Sequence, residues 1–366
     1  MPDMKPFAFL GSASLTRLCI AAWLSIGLTA GWSQLESLQA KADEGDPEAQ
    51  NTMGLAYKNG RGVTQDLEAA ANWFRKAAER GYPPAQRNLG QMYAEGKGVK
   101  PDWAEARQWL LKAAEQNFAS AQCYLGTMLA WEPATADLAE AVKWLRKAAE
   151  NNYAEAQDNL GLLYLEGRGL AQDPAEAAKL FRKGAEQDYA SAEHRLATLY
   201  LDGKGVPQDF AEAARWLQKA VNQKYAAAQE TLGWMHLTGM GVAQDFNAAA
   251  GLFRKAADQN YAAAQNNLGK LYENGQGVPQ DFAEAAKWYR LAAERNYGGA
   301  QNNLALLYAQ GKGVAKDLVE ACKWFALAEK HGDKNGADIR AAMIKEMTPE
   351  QIAEAEKRVK EFTPKP

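Results

Sequence analysis

The residues able to do chemistry are few and scattered. His194, His236 and His331 are the only histidines, and none stands at ligand spacing from another histidine or from a cysteine, so no metal site is expected. A serine nucleophile has little material: past residue 30 only Ser33, Ser37, Ser120 and Ser191 occur, and there is no Ser-x-x-Lys motif. Gly-x-Gly-Val stretches such as Gly275 to Val278 invite a phosphate-loop reading. Each joins two helical segments and none follows a strand, so the dinucleotide context is missing. The 45 acidic residues fall mostly at helix starts or on solvated faces. No catalytic constellation and no cofactor are expected, and a formal net charge of −3 gives no reason to expect nucleic acid. The chemistry left to the chain is recognition by a surface.

That surface is set by a stretch written eight times. Ala-Gln recurs at Ala49, Ala85, Ala121, Ala156, Ala228, Ala264 and Ala300, with Ala192-Glu193 standing in once; the period is 36 residues with one step of 35. A fixed period of this length signals a solenoid. Within residues 264–299, Ala264, Leu268, Leu271 and Tyr272 share one helical face. Gly269 leaves room for a close neighbouring helix, and Gly275 and Gly277 end the first helix. The second helix opens at Asp281 with Glu284 three residues on. This capping-box spacing recurs at Asp102/Glu105, Asp137/Glu140, Asp173/Glu176, Asp209/Glu212 and Asp317/Glu320. Trp73, Trp109, Trp144, Trp216, Trp288 and Trp324 stand in phase on that helix and are expected in the core. One hairpin cannot bury its apolar side alone, whereas a stack can. The fold class expected is all-α: a solenoid of helical hairpins with one continuous core.

The pattern A-Q-x-x-L-G-x-x-Y-x-x-G-x-G-V-x-Q-D-x-x-E-A-x-x-W-x-x-K-A-A-E resembles the Sel-one-like repeat, a relative of the tetratricopeptide repeats. It runs from Ala49 to about Asn335. The resemblance implies a right-handed α-solenoid that binds proteins, and it implies no reaction. A cysteine-rich branch of the family staples each hairpin with a disulfide, and penicillin binding or β-lactam hydrolysis has been attributed to that branch. Here Cys123 and Cys322 belong to repeats three and eight. At about one helix diameter per repeat they lie tens of ångströms apart, far beyond the roughly 5.5 Å between Cα atoms that a disulfide needs.

Lys5 and Arg17 precede an apolar run from Leu18 to Ala30, and Leu28-Thr29-Ala30 offers a cleavage site before Gly31. Residues 1–30 therefore read as a secretory signal peptide, and the protein as periplasmic or secreted. A retained anchor is the alternative, but the uncharged run is short of the ~20 residues a span needs. No membrane insertion is expected after cleavage. Residues 31–48 read as an N-terminal capping helix with Leu35, Leu38 and Ala42 at helical spacing, 49–335 as eight repeats, and 336–366 as C-terminal capping helices. The last of these opens at Thr348-Pro349 with Gln351 three residues on. Repeat three has Trp131-Glu132-Pro133-Ala134 in place of the glycine stop, so Pro133 is expected to end its first helix.

In the tetratricopeptide relatives the first helix of each hairpin lines the concave face. Positions three, seven, ten and eleven of the unit lie on one side of that helix, away from the Leu-Gly-Tyr core. They are mostly polar in repeat one (Asn51, Lys58, Asn59) and repeat seven (Asn266, Lys270, Glu273, Asn274). In the middle they turn apolar at Trp131, Leu162, Leu165, Leu201, Trp234 and Leu237, with Asp158, His194, Arg195 and Glu230 as polar points. An exposed apolar strip with an aromatic anchor and a charged margin suits a partner's anchor residues. The leucines at position ten have a second reading, as core under the neighbouring repeat. The function expected is a non-enzymatic exported scaffold or adaptor, monomeric, holding a protein or peptide in the groove. One alternative is a cell-envelope regulator binding a sensor kinase or an envelope enzyme. Another, of a different class, is a peptidoglycan-active or β-lactam-hydrolysing enzyme, for which the sequence supplies no site.

Overall fold

A computed structural model describes residues 35–131, 137–332 and 336–365, and all regular structure among them is helical. The signal-peptide segment and Pro133 lie outside the described residues. Helix α1 covers residues 35–43. Eight hairpins follow: α2 (Pro47–Asn59) with α3 (Leu67–Glu79), α4 (Pro83–Glu95) with α5 (Trp103–Glu115), α6 (Ala119–Trp131) with α7 (Leu138–Glu150), and α8 (Ala154–Glu166) with α9 (Pro174–Ala185). Then come α10 (Ala190–Asp202) with α11 (Phe210–Asn222), α12 (Ala226–Thr238) with α13 (Phe246–Ala257), α14 (Ala262–Asn274) with α15 (Phe282–Ala293), and α16 (Gly298–Gln310) with α17 (Leu318–Lys330). Helices α18 (Ala337–Ile344) and α19 (Pro349–Glu361) close the chain. The fold is an α-solenoid of helical hairpins, packed within each of two units on their neighbours in sequence.

Where the repeat led to one continuous core, the chain divides into two compact units between Ala156 and Gln157. The division falls in the first turn of α8, directly after the repeat that is one residue short. In the first unit α1 takes the place of a second helix ahead of α2: Gln50 Nε2 donates to the Ala42 carbonyl at 2.9 Å, and Leu35 and Leu38 pack on Met53 and Ala49. In the second unit α17, α18 and α19 end the stack, with Met343, Met347 and Ala355 buried against the last hairpin.

In every hairpin the residue after the tryptophan position, which holds leucine at Leu180 and Leu252, is fully buried. Phe74, Leu110, Leu145, Phe181, Leu217, Phe253, Tyr289 and Phe325 are all 0% exposed. The first-helix glycine exists to admit this side chain: a Cβ on Gly269 would meet the Tyr289 ring at 2.6 Å, and one on Gly90 would meet Leu110 at 2.7 Å. The tryptophans themselves divide. Trp144, Trp216 and Trp324 are buried, whereas Trp73, Trp109 and Trp288 are half-buried and pack against the edges of core clusters. Their outer faces carry cations, with Lys76 Nζ 3.9 Å above Trp73 and Lys112 Nζ 4.0 Å above Trp109.

The Asp-x-x-Glu pairs form half of the box their spacing implies. Each aspartate caps its helix: Asp281 accepts from the Ala283 and Glu284 amides at 2.8 and 3.0 Å. The reciprocal bond is absent because the aspartate's own N–H is taken, as in Asp281 N donating to the Tyr272 carbonyl at 2.9 Å. The released glutamate instead accepts the indole N–H one turn on, with Trp109 on Glu105 at 3.1 Å, Trp144 on Glu140 at 3.2 Å and Trp216 on Glu212 at 3.0 Å. Thr348 and Gln351 do form the full reciprocal box, with Pro349 in the first turn.

Candidate protein-binding site

Two polar ladders fix how the first helices present their outer side. One starts from position two. Its glutamine is buried and donates to a carbonyl at the end of the preceding second helix, as Gln86 does to Ala78 at 3.1 Å and Gln301 to Ala293 at 3.0 Å. The other links position three of one repeat to position four of the next. Asn88 donates to Asn51 at 2.9 Å in the first unit. In the second unit Arg195 pairs with Asp158 at 3.2 Å, the His194 ring bonds Thr231 Oγ1 at 3.1 Å, Asn267 donates to Glu230 at 2.8 Å and Asn303 to Asn266 at 2.9 Å.

This second ladder relocates several candidates. Asp158 is 3% exposed and is also held by the Ser191 hydroxyl at 2.8 Å, so it belongs to the seam between repeats and not to open surface. Arg195 is committed to that carboxylate. His194 is half-buried, with the Tyr225 ring 5.7 Å away. Its burial, with Arg195 beside it, pushes the imidazole down to about 4. Burial likewise raises the Glu230 carboxyl, opposed by hydrogen bonds from Asn267 and Thr231. These four side chains join hairpins, because consecutive first helices lie close enough for their polar tips to meet.

The apolar candidates also separate. Leu165 and Leu201 are partly buried against the cluster around Phe181 and Leu217, and Leu237 against the cluster around Phe253, which is the core reading of position ten. Leu162 is half-buried on α8. Trp131 ends α6 in the first unit, half-buried. Trp234, at position seven of α12, is different: it is 40% exposed while its helix neighbours Gly233 and Met235 are buried. Lys270, the same position one repeat on, is exposed. Leu55, at position seven of repeat one, is also 36% exposed, an apolar residue among polar neighbours. The remaining nine candidates lie in the second unit, with Trp234 as its exposed aromatic on the first-helix side.

Among the described residues no three His, Cys, Asp or Glu side chains are grouped to hold a metal ion, and Cys123 and Cys322 are both buried. No helix of the described residues is long and apolar enough to cross a membrane. The repeat geometry agrees with a model of the Sel1 repeat, which matches residues 47–82, 83–118, 119–153, 154–189, 190–225, 226–261, 262–297 and 299–333. The chain belongs to the Sel1 repeat family. Among solved structures it is similar to a Sel1 repeat protein from Oxalobacter formigenes, with 30% identity and a TM-score of 0.61 over 88% of this chain and 93% of that one. It is also similar to c5321, a protective antigen of uropathogenic Escherichia coli strains displaying an SLR fold, with 29% identity and a TM-score of 0.53 over 90% of this chain and 94% of that one. No curated protein sequence matches it.

Proposed function

We propose that this protein is a non-enzymatic, exported scaffold or adaptor that holds a protein or peptide on the first-helix side of its hairpins, with Trp234 as the anchor contact. The observation that carries the reading is the exposure of Trp234, 40%, on a helix whose other large apolar side chains are covered. A large exposed aromatic on a rigid helix loses little conformational freedom on binding and brings a large apolar area. Its neighbours in the ladder are spent on joining repeats, so the surface around it is preorganised before a partner arrives. The Sel1 repeat fold, a protein-interaction architecture, supports the same reading.

The test is a crosslinking pull-down from envelope extract with the mature wild-type chain and with Trp234→Ala. The variant should melt as wild type does and lose partner capture by ~2 kcal/mol or more, about thirtyfold. Leu201→Ser is the contrasting variant, expected to melt early because Leu201 packs on the core. Equal capture by Trp234→Ala, or an early melt of that variant, removes Trp234 from the binding surface.

A further inference from the structure

Position two of the repeat is glutamine seven times and glutamate once, at Glu193. Gln50 Oε1 and Gln265 Oε1 are buried without a partner, but the task of the glutamine is visible in the other contacts made from this seat. Its Nε2 donates to the carbonyl eight residues earlier: Gln50 to Ala42 at 2.9 Å, Gln122 to Ala114 at 3.0 Å, Gln265 to Ala257 at 3.2 Å. Its Oε1 accepts from a side chain thirty residues later: Gln116 to Gln86 at 2.8 Å, Gln187 to Gln157 at 2.7 Å, Gln259 to Gln229 at 2.9 Å. Glu193 takes the same seat and is 0% exposed. Its Oε2 accepts from Gln223 Nε2 at 2.8 Å, the contact made by Oε1 of the glutamines. Glu193 Oε1 therefore stands where a glutamine has Nε2. That oxygen is buried without a hydrogen-bond partner, and the residue eight positions back is Ala185. A bare carboxylate oxygen and a carbonyl oxygen are both acceptors and repel; only a hydrogen on Oε1 turns the pair into a bond.

We propose that Glu193 is a neutral carboxylic acid in the folded protein, donating from Oε1 to the Ala185 carbonyl in place of the missing amide, and that losing this proton loosens α10 from α9 and α11. The charged groups facing it are Lys219 of α11, which favours the anion, and Asp188 in the turn before α10, which opposes it. Helix α9 ends in uncharged Gly184 and Ala185, and of the two basic residues in its last turn, Arg182 donates to the Tyr200 hydroxyl and neither it nor Lys183 is among the charges acting on Glu193. Burial outweighs Lys219 and raises the carboxyl above its ordinary range. An unfolded glutamate releases its proton near pH ~4.3, whereas the folded one holds it to a higher pH. From about pH 4.3 up to the folded value, the folding equilibrium of this repeat therefore weakens about tenfold per pH unit, and above it the loss is complete. Repeat five, whose α10 also carries His194 and Arg195 of the seam, is thus a link in the second unit that weakens as pH rises above the ordinary glutamate range.

The experiment compares the full chain with Glu193→Gln, which restores the residue used by the other seven repeats. Amide exchange of α9 to α11 is followed from about pH 4.5 to about pH 8.5, corrected for intrinsic exchange. The two proteins should match at the acid end, and the variant should be the better protected at the alkaline end, by about tenfold for each pH unit by which folding raises the carboxyl. Isotope-edited infrared across the same pH range should show a protonated-carboxyl band that persists in wild type above the ordinary glutamate range of about 4.3 and that the variant lacks. The same pH slope in both proteins, no protonated-carboxyl band, or a variant that fails to fold would each overturn the assignment.

Discussion

Gly275→Ala and Gly277→Ala are a matched pair of perturbations within one loop. Both glycines are left-handed, at φ +68° and +67°, so each added Cβ costs about 1 kcal/mol for the backbone alone. Their surroundings differ. At 275 the new carbon meets Gln280 Cβ at 3.2 Å, the root of an exposed side chain. At 277 it meets the Phe246 carbonyl oxygen at 2.1 Å and carbon at 2.3 Å, and the Asn247 nitrogen at 2.8 Å. Those atoms are the first turn of α13, in the preceding hairpin, and backbone cannot rotate away. Relief requires parting two hairpins, an overpacking cost of about 1–3 kcal/mol beyond the backbone term. The expected totals are about 1 kcal/mol for Gly275→Ala and about 2–4 kcal/mol for Gly277→Ala. Asparagine tolerates the left-handed region, so Gly275→Asn should recover most of the loss and Gly277→Asn none. Urea unfolding gives the global cost, and amide exchange of α13 and α15 gives the local one. Equal costs at the two positions, or rescue of 277 by asparagine, would refute the close-approach argument.

Further outcomes follow from the ladders and the N-terminus. His194 is held neutral by burial, with its folded value near about 4 against an ordinary 6.5. Its stabilising contribution is therefore complete above pH 6.5 and is lost, about tenfold per pH unit, as pH falls through that window. An NMR titration should leave this ring unprotonated at pH 5.5, and a midpoint near 6.5 would show that it is solvated. For export, mass spectrometry of the purified protein should find a start near Gly31; an intact Met1 in the envelope fraction overturns cleavage, and a purely cytosolic pool overturns export.

Much of the hairpin was legible because its signals are local and repeat in phase. The aspartate caps, the helix-ending glycines and the Thr348/Gln351 box act over three or four residues, so spacing alone assigns them. The buried Ala264, Leu268 and Leu271 follow from helical periodicity in the same way. The candidate site was less legible. Periodicity says which residues share a side of a helix and is silent on which other helix covers that side. Position three was therefore correctly placed beside position seven, yet Asp158 is closed off by Arg195 from the next repeat while Trp234 stays open.

The sequence by itself determined the hairpin, its number of copies and the chemistry available to its surface, because these depend on residue type and on distances along the chain. Only the tertiary structure decided which of two adjacent apolar positions is deepest, so that Tyr289 is 0% exposed while Trp288 is half-buried. It also decided that Glu105, Glu140 and Glu212 serve an indole and not a helix end, since a first-helix carbonyl claims the amide each would have accepted. It gave Gly277 a second reason to be glycine, in the backbone of α13. And it turned one Gln-to-Glu change at position 193 into a question of protonation, because a buried oxygen can face a carbonyl only when a hydrogen lies between them.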